Sequence, residues 1–262
     1  MQQSPCVIQT GSGTARLARA ALRFCAALAM AGTLFGTPIS AHAKQPVVVE
    51  LFTSQGCSSC PPADELLGEL AEREDVIALS LHVDYWDYIG WKDPYASPQY
   101  TERQRRYAEE LGLHYIYTPQ MVIDGRHNIV GSRRGEVLDA IEASLKQGKA
   151  VDVSFVAQNG GRVIIPAGPA PDRGATIWLV VYDDVIDTDV KRGENAGRTI
   201  RNAHVVRRLE RLGTWMGERL EIPLNLDSAA TRDNYECAVL VQQGRNGPII
   251  GAGLMRLDAL AK

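Results

Sequence analysis

Two cysteines three residues apart, Cys57 and Cys60, stand between a β-branched apolar run, Val47 to Phe52, and a stretch with Leu66, Leu67 and Leu70 at helical spacing, Ala63 to Arg73. The run reads as a buried strand ending in Thr53-Ser-Gln-Gly56, and Asp64 and Glu65 fall early in the following stretch, where a helix dipole favours acids. Val76 to Val83 reads as a second strand, parallel to the first because a helix crosses between them. So close a pair closes a loop too small to stabilise a fold much through chain entropy. Its expected use is chemistry.

The remaining cysteines are Cys6, Cys25 and Cys237. Residues 1–43 hold no Asp, Glu or Lys; they carry Arg16, Arg19 and Arg23, then an apolar run from Phe24 to Phe35, then Ala41-His42-Ala43. That order predicts a cleavable secretory signal peptide over 1–43, which places the folded part in the periplasm or outside the cell. The run is shorter than the roughly 20 residues a bilayer requires, so no stable membrane insertion is expected after cleavage. Cleavage also removes Cys6 and Cys25, and three cysteines do not make a disulfide framework for a chain this long. Without the leader's three arginines, the 28 basic residues become 25 against 31 acidic ones, a net charge of −6 that offers nothing to nucleic acid.

Tyr85 to Gln99 reads as an aromatic loop and Tyr100 to Leu111 as a helix closed by Gly112. Asp124-Gly125 between two short apolar runs predicts a tight hairpin, and Arg134 to Lys146 a further helix. From Val151 the pattern changes to short strands separated by turn residues, about seven of them: Val151 to Ala157, Arg162 to Ile165, Ala175 to Tyr182, Thr199 to Leu212, Leu220 to Leu224, Cys237 to Gln242 and Ile249 to Leu257.

A strand ending in Gly56-Cys57-Ser58-Ser59-Cys60, then a helix, a parallel strand, and Thr118-Pro119 opening an antiparallel hairpin resembles the thioredoxin superfamily over residues 47–147. The segments GCSSCPPAD, HVDYWDYIGW, TPQMVIDGR and RGENAGRT are similar to those of a poorly characterised family of bacterial secreted thioredoxin-like proteins with a C-terminal β-domain. The resemblance implies an α/β thioredoxin-like domain, a central mixed sheet flanked by helices, over 44–148, followed by a small all-β sandwich-like domain over 149–262. It also implies that Pro119 is a cis proline facing the disulfide and that Thr118 offers backbone groups to an extended substrate.

Physical chemistry adds roles. A thiolate near a helix N-terminus is stabilised by the dipole and by free N–H groups, so Cys57 is the expected nucleophile and Cys60 the resolver of the mixed disulfide. The ends of two parallel strands and the start of an antiparallel neighbour share one sheet edge, so Cys57, His82 to Trp86, and Thr118-Pro119 are expected to converge. Nine of the 17 aromatic residues fall between Tyr85 and Tyr117, and Tyr85 and Trp86 are candidates for an apolar wall against substrate. Asp84 is a candidate proton acceptor for the resolving thiol, with turn capping as its alternative. Two features depart from the superfamily's pattern. Ser58-Ser59 lacks the His or Gly-Pro of well-known members, and Pro61-Pro62 favours a helix that starts at Pro61, which weakens the dipole's pull on Cys57.

The expected function is a thiol–disulfide oxidoreductase acting on protein or small-molecule thiols and disulfides, without organic cofactor or metal. Two other readings use the same residues. In one, the cysteines bind or deliver copper or zinc, with His82, His114 and His127 as the available further ligands; in the other, the scaffold is a non-catalytic binding module. Cys237 reads as a buried free thiol. Arg192 to Arg198 lacks Walker spacing and reads as a connecting loop, with a place near the redox edge as one option.

Overall fold

The structure is a computed structural model, and it describes residues 45–156, 161–224 and 235–256. The expected leader, together with Lys44, the turn residues expected at Asn159-Gly160 between two of the short strands, and the ends of two predicted strands at Ala157 and Leu257, lies outside the described residues. In chain order the elements are β1 (Val47–Thr53), α1 (Pro61–Ala71), β2 (Val76–His82), a 3-10 turn (Asp87–Ile89), α2 (Pro98–Glu110), β3 (Gln120–Ile123), β4 (His127–Val130) and α3 (Arg134–Gln147). Then follow β5 (Ser154–Val156), β6 (Arg162–Ile165), β7 (Ala175–Asp189), β8 (Thr199–Trp215), β9 (Leu220–Pro223), β10 (Tyr235–Gln243) and β11 (Ile249–Arg256). Among the described residues no helix is long and apolar enough to cross a membrane.

Eight strands form one large mixed sheet in the order β11-β10-β7-β8-β2-β1-β3-β4, flanked by the helices. Strand periodicity decides which face each residue buries. Along β1, Val48 and Phe52 join a core with Tyr100 and Tyr107 of α2, whereas Val47, Val49 and Leu51 pack on Leu66, Leu67 and Leu70 of α1 and on Val137 and Ile141 of α3. β7 continues the alternation: Trp178, Val180 and Tyr182 face the α2 side, and Ile177, Leu179 and Val181 face a second sheet, β5-β6-β9, through Val163, Ile165 and Ile222.

The C-terminal strands thus do form two facing layers, as expected of a sandwich. Their larger layer, however, is not a sheet of its own. It joins the N-terminal strands through parallel pairing of β8 with β2 at Ser80 and Val205, so one sheet runs through both parts of the chain.

A buried ion pair stitches this sheet to α2. Arg103 Nε donates to Glu50 Oε1 at 2.6 Å and Nη2 to Oε2 at 3.0 Å, and the Tyr107 hydroxyl also donates to Glu50. Gln242 of β10 completes it, its Nε2 donating to the Tyr107 hydroxyl at 2.9 Å.

The predicted turn between β3 and β4 has φ 48° at Asp124 and 65° at Gly125, the backbone that Asp-Gly favours. Gly125 is doubly required, since a Cβ there would lie 2.5 Å from the Gly247 carbonyl oxygen. Gly125→Ala is expected to cost at least about 2 kcal/mol, seen as a lower urea midpoint at unchanged slope.

Candidate redox site

The helix α1 begins at Pro61 with Cys60 as its N-cap, the start favoured by the two prolines. Pro61 and Pro62 have no N–H, and the next two groups, Ala63 and Asp64, donate to the Cys60 carbonyl at 2.8 and 3.1 Å as the first bonds of the helix. The sulfurs of Cys57 and Cys60 lie at disulfide-bonding distance, with Cα atoms 5.5 Å apart, and both side chains are fully buried while Ser58 and Ser59 are exposed.

The predicted convergence is present. Thr53 pairs with His82 at the ends of β1 and β2, and Phe52 pairs with Gln120 at the start of β3. Past these ends, a Cβ placed on Gly56 would lie 3.2 Å from Trp86 Cβ, and Trp86 Nε1 donates to Thr118 Oγ1 at 2.8 Å. The Thr118-Pro119 peptide bond is cis. A Cβ on Gly131 would lie 2.9 Å from Ala63 Cβ and 3.3 Å from Pro119 Cβ, so Pro119 and the first turn of α1 meet across this glycine. Tyr85 and Trp86 are half-buried here, the Tyr85 hydroxyl donating to Gln104. The other aromatic residues of the segment separate: Tyr100 and Tyr107 enter the core, and Tyr88 and Tyr115 point outward at 82% and 71% exposure.

The Asp84 carboxylate accepts from Thr101 Oγ1 of α2 at 2.6 Å, and its backbone carbonyl accepts the Asp87 N–H at 3.1 Å. The buried acid next to the pair is Asp64, one helical turn after Cys60 and bonded by Thr53 Oγ1 at 2.9 Å. Burial pushes its carboxyl up to about 7, against the pull of His82, Thr53 and Asn202.

Beside Asp64, His82 Nδ1 lies 2.7 Å from Asp93 Oδ2, both side chains fully buried. Burial works against the imidazolium, but Asp93 and Asp64 outweigh it and raise the His82 pKa. Burial likewise pushes Asp93 up, yet His82 and the N–H groups of Gln55 and Tyr95 outweigh it and hold the carboxyl below its usual range. Sequence reasoning missed Asp64 in this role, and it missed Asp93 altogether. The two other histidines considered as metal ligands are outside the buried core: His114 is exposed and His127 half-buried.

A loop from the far half of the chain completes the site. The outer part of the β7–β8 hairpin departs at His204, where φ is 48°, and lies along α1, with Asn202 bonded to Gln55 and to Asp64. This carries residues 192–198 onto the cysteine loop. Asn195 is buried, and its Nδ2 donates to the carbonyls of Gln55 and Cys57 at 2.9 and 3.0 Å; the exposed Glu194 accepts the Ser58 N–H at 3.2 Å. The Arg192–Arg198 loop thus lies against the loop that carries Cys57 and Cys60. Cys237 is distant in the β10–β11 ladder, fully buried, its thiol pushed up to about 12 by burial and by Glu236. A cavity of about 1160 Å³ beside α2, lined in part by Arg106, Trp178 and Arg211, takes in none of the predicted site residues.

No curated protein matches the chain. A crystal structure of a protein from Agrobacterium tumefaciens is 34% identical, with a TM-score of 0.71, over 82% of this chain and 96% of that one. HBP35 of Porphyromonas gingivalis shares the fold at 15% identity and a TM-score of 0.54, over 82% of this chain and 76% of that one. Residues 48–242 match a family described as proteins of unknown function (DUF1223), and the chain belongs to that family.

Proposed function

We propose that this chain is an exported thiol–disulfide oxidoreductase built on a thioredoxin-like scaffold. The observation that carries the reading is the meeting of the Cys57–Cys60 pair, Trp86 bonded to Thr118, and Pro119 at the sheet edge where β1, β2 and β3 begin or end. In this reading Cys57 exchanges with the substrate sulfur and Cys60 resolves. Thr118 holds the substrate backbone, and Trp86 and Tyr85 form its apolar wall. Asp64 replaces Asp84 as proton acceptor for Cys60, because its carboxyl is buried beside the pair and close to half-ionised near neutrality.

The test is a redox titration of the leader-free protein in glutathione buffers, counting thiols with a mass-adding alkylating reagent and measuring metal in the reduced sample. A reversible two-thiol transition between about −120 and −270 mV, the range of exchange catalysts, is expected. A pair that stays oxidised far below that range would mark a structural disulfide, and stoichiometric bound copper or zinc would mark the metal reading.

Asp64 also predicts a pH dependence of stability. Between the unfolded carboxyl's value near 4 and the folded value of about 7, the unfolded chain has released a proton that the native protein still holds. Stability therefore falls as pH rises through this window and levels above it, by on the order of 4 kcal/mol for a shift of about three units. His82, raised in the fold by Asp93 and Asp64 against burial, contributes a further decline of the same sign as pH rises above its unfolded value near 6.5. Asp64→Asn is expected to flatten the decline in urea unfolding followed from pH 4 to 8; an unchanged slope would remove Asp64 from this role.

A further inference from the structure

The exposed residues after the buried Cys57 are Ser58 and Ser59, and beside them lies a residue 136 positions along the chain from Ser58, Glu194, whose carboxylate accepts the Ser58 N–H at 3.2 Å. We propose that Glu194 is a specificity-determining residue of the redox pair, placing a fixed negative charge at the entry to Cys57 that disfavours anionic thiols against neutral and cationic ones. This deepens the redox reading and rests on it.

Three observations carry the proposal. The loop holding Glu194 is a closed turn, with Gly197 N–H donating to the Val190 carbonyl and Val190 N–H to the Arg198 carbonyl at 2.9 Å each. Asn195 anchors that turn to the cysteine loop through two carbonyls, so Glu194 is fixed relative to Cys57. The carboxylate also occupies the N–H next to Cys57, a group that could otherwise stabilise a thiolate there. Lys191, Arg192 and Arg198 are the opposing charges on the loop: Lys191 pairs with Asp189 at 3.1 Å, Arg198 reaches the cysteine loop only through Asn195 Oδ1 at 3.1 Å, and Arg192 is exposed, whereas Glu194 is the charge bonded directly to the residue after Cys57.

The reaction concerned is reduction of the pair by a small thiol. A thiolate attacks Cys57 Sγ, forming a mixed disulfide as the Cys57–Cys60 bond breaks and its electron pair leaves on Cys60. A second thiolate attacks the thiol's own sulfur in that mixed disulfide, releasing the small disulfide and the Cys57 thiolate. Two thiolates are oxidised, the protein disulfide gains two electrons, and both cysteines take up protons.

In water two unit charges about 4 Å apart interact by about 1 kcal/mol and by less as they separate, so one fixed charge beside the reacting sulfur is expected to change the rate for a unit-charged reagent a few-fold, and the ratio between a cationic and an anionic reagent about tenfold. The experiment reduces the oxidised, leader-free protein with cysteamine, 2-mercaptoethanol or 2-mercaptoethanesulfonate at low ionic strength, with rates expressed per thiolate. Glu194→Gln keeps the acceptor for Ser58 and removes the charge. The cysteamine to sulfonate ratio is expected to fall about tenfold in this variant, to invert towards the sulfonate in Glu194→Lys, and to collapse in the native protein at 1 M salt. Equal ratios in native protein and both variants, with all three thiols reducing the pair, would overturn the proposal and leave the redox reading standing. Failure of every thiol to reduce the pair in any of the proteins would overturn both.

Discussion

Cys60→Ser is expected to halt exchange after its first step, so that Cys57 accumulates as a mixed disulfide with whatever thiol or disulfide it meets. Cys57→Ser is expected to lower dithiol-dependent turnover at least about a thousandfold, the scale on which a lost nucleophile is felt. The asymmetry follows from the chain's geometry. Cys60 caps α1 and lies one turn from the buried Asp64, whereas Cys57 sits in the loop under Asn195 beside the exposed Ser58. Non-reducing electrophoresis of each variant, followed by mass analysis of the adducts, checks this directly. Equal, undiminished turnover in both would remove the oxidoreductase reading, and adducts that form on Cys57→Ser instead would exchange the two roles.

The second large effect concerns the sheet. Arg103→Met is expected to cost about 3–5 kcal/mol, because it leaves the Glu50 carboxylate buried without its cation. Glu50 is 1% exposed and retains only the Tyr107 hydroxyl as a partner among those described. Burial opposes the Arg103 cation, but Glu50 and Tyr107 beside it outweigh that and keep it charged across the working pH range. For a chain of this size the loss corresponds to a fall in Tm of roughly 10 °C. The double variant Glu50→Leu with Arg103→Met removes both charges and is expected to recover much of the loss. A single variant within about 0.5 kcal/mol of the native protein, measured by urea unfolding, would show that the pair is solvated in a way the fold does not reveal.

What the residues disclosed in advance was mostly local. Pro61-Pro62 marked the start of α1, Asp124-Gly125 the hairpin turn, and the β-branched apolar run Val47 to Phe52 a buried strand, since each is decided within a few residues. β7 was foreseen only to Tyr182, although it runs to Asp189. Its outer half, Asp-Asp-Val-Ile-Asp-Thr-Asp, is mostly exposed and polar and lacks the apolar density by which a core strand is recognised. Asp64 looked like an ordinary first-turn acid because its burial depends on Thr53, His82 and Asn202, which a linear pattern does not bring together. Asp84 carried the signal of an acid at a strand end, and Thr101, seventeen residues away, claimed it. Asn195 and Asp93 are polar residues in loops, and nothing in their neighbours distinguishes them from solvated ones.

The anchoring of Asn195 to the Cys57 carbonyl spans 138 residues of sequence. Proteins are made N-terminus first at about 5–20 residues per second, so this separation corresponds to roughly 7–28 s of synthesis. During that interval the two thiols exist without Glu194 or Asn195, and contacts of such long range form late even once the chain is complete. If Glu194 sets the selectivity of the pair, that selectivity is absent while the chain is being made, and the first disulfide is expected to form without it.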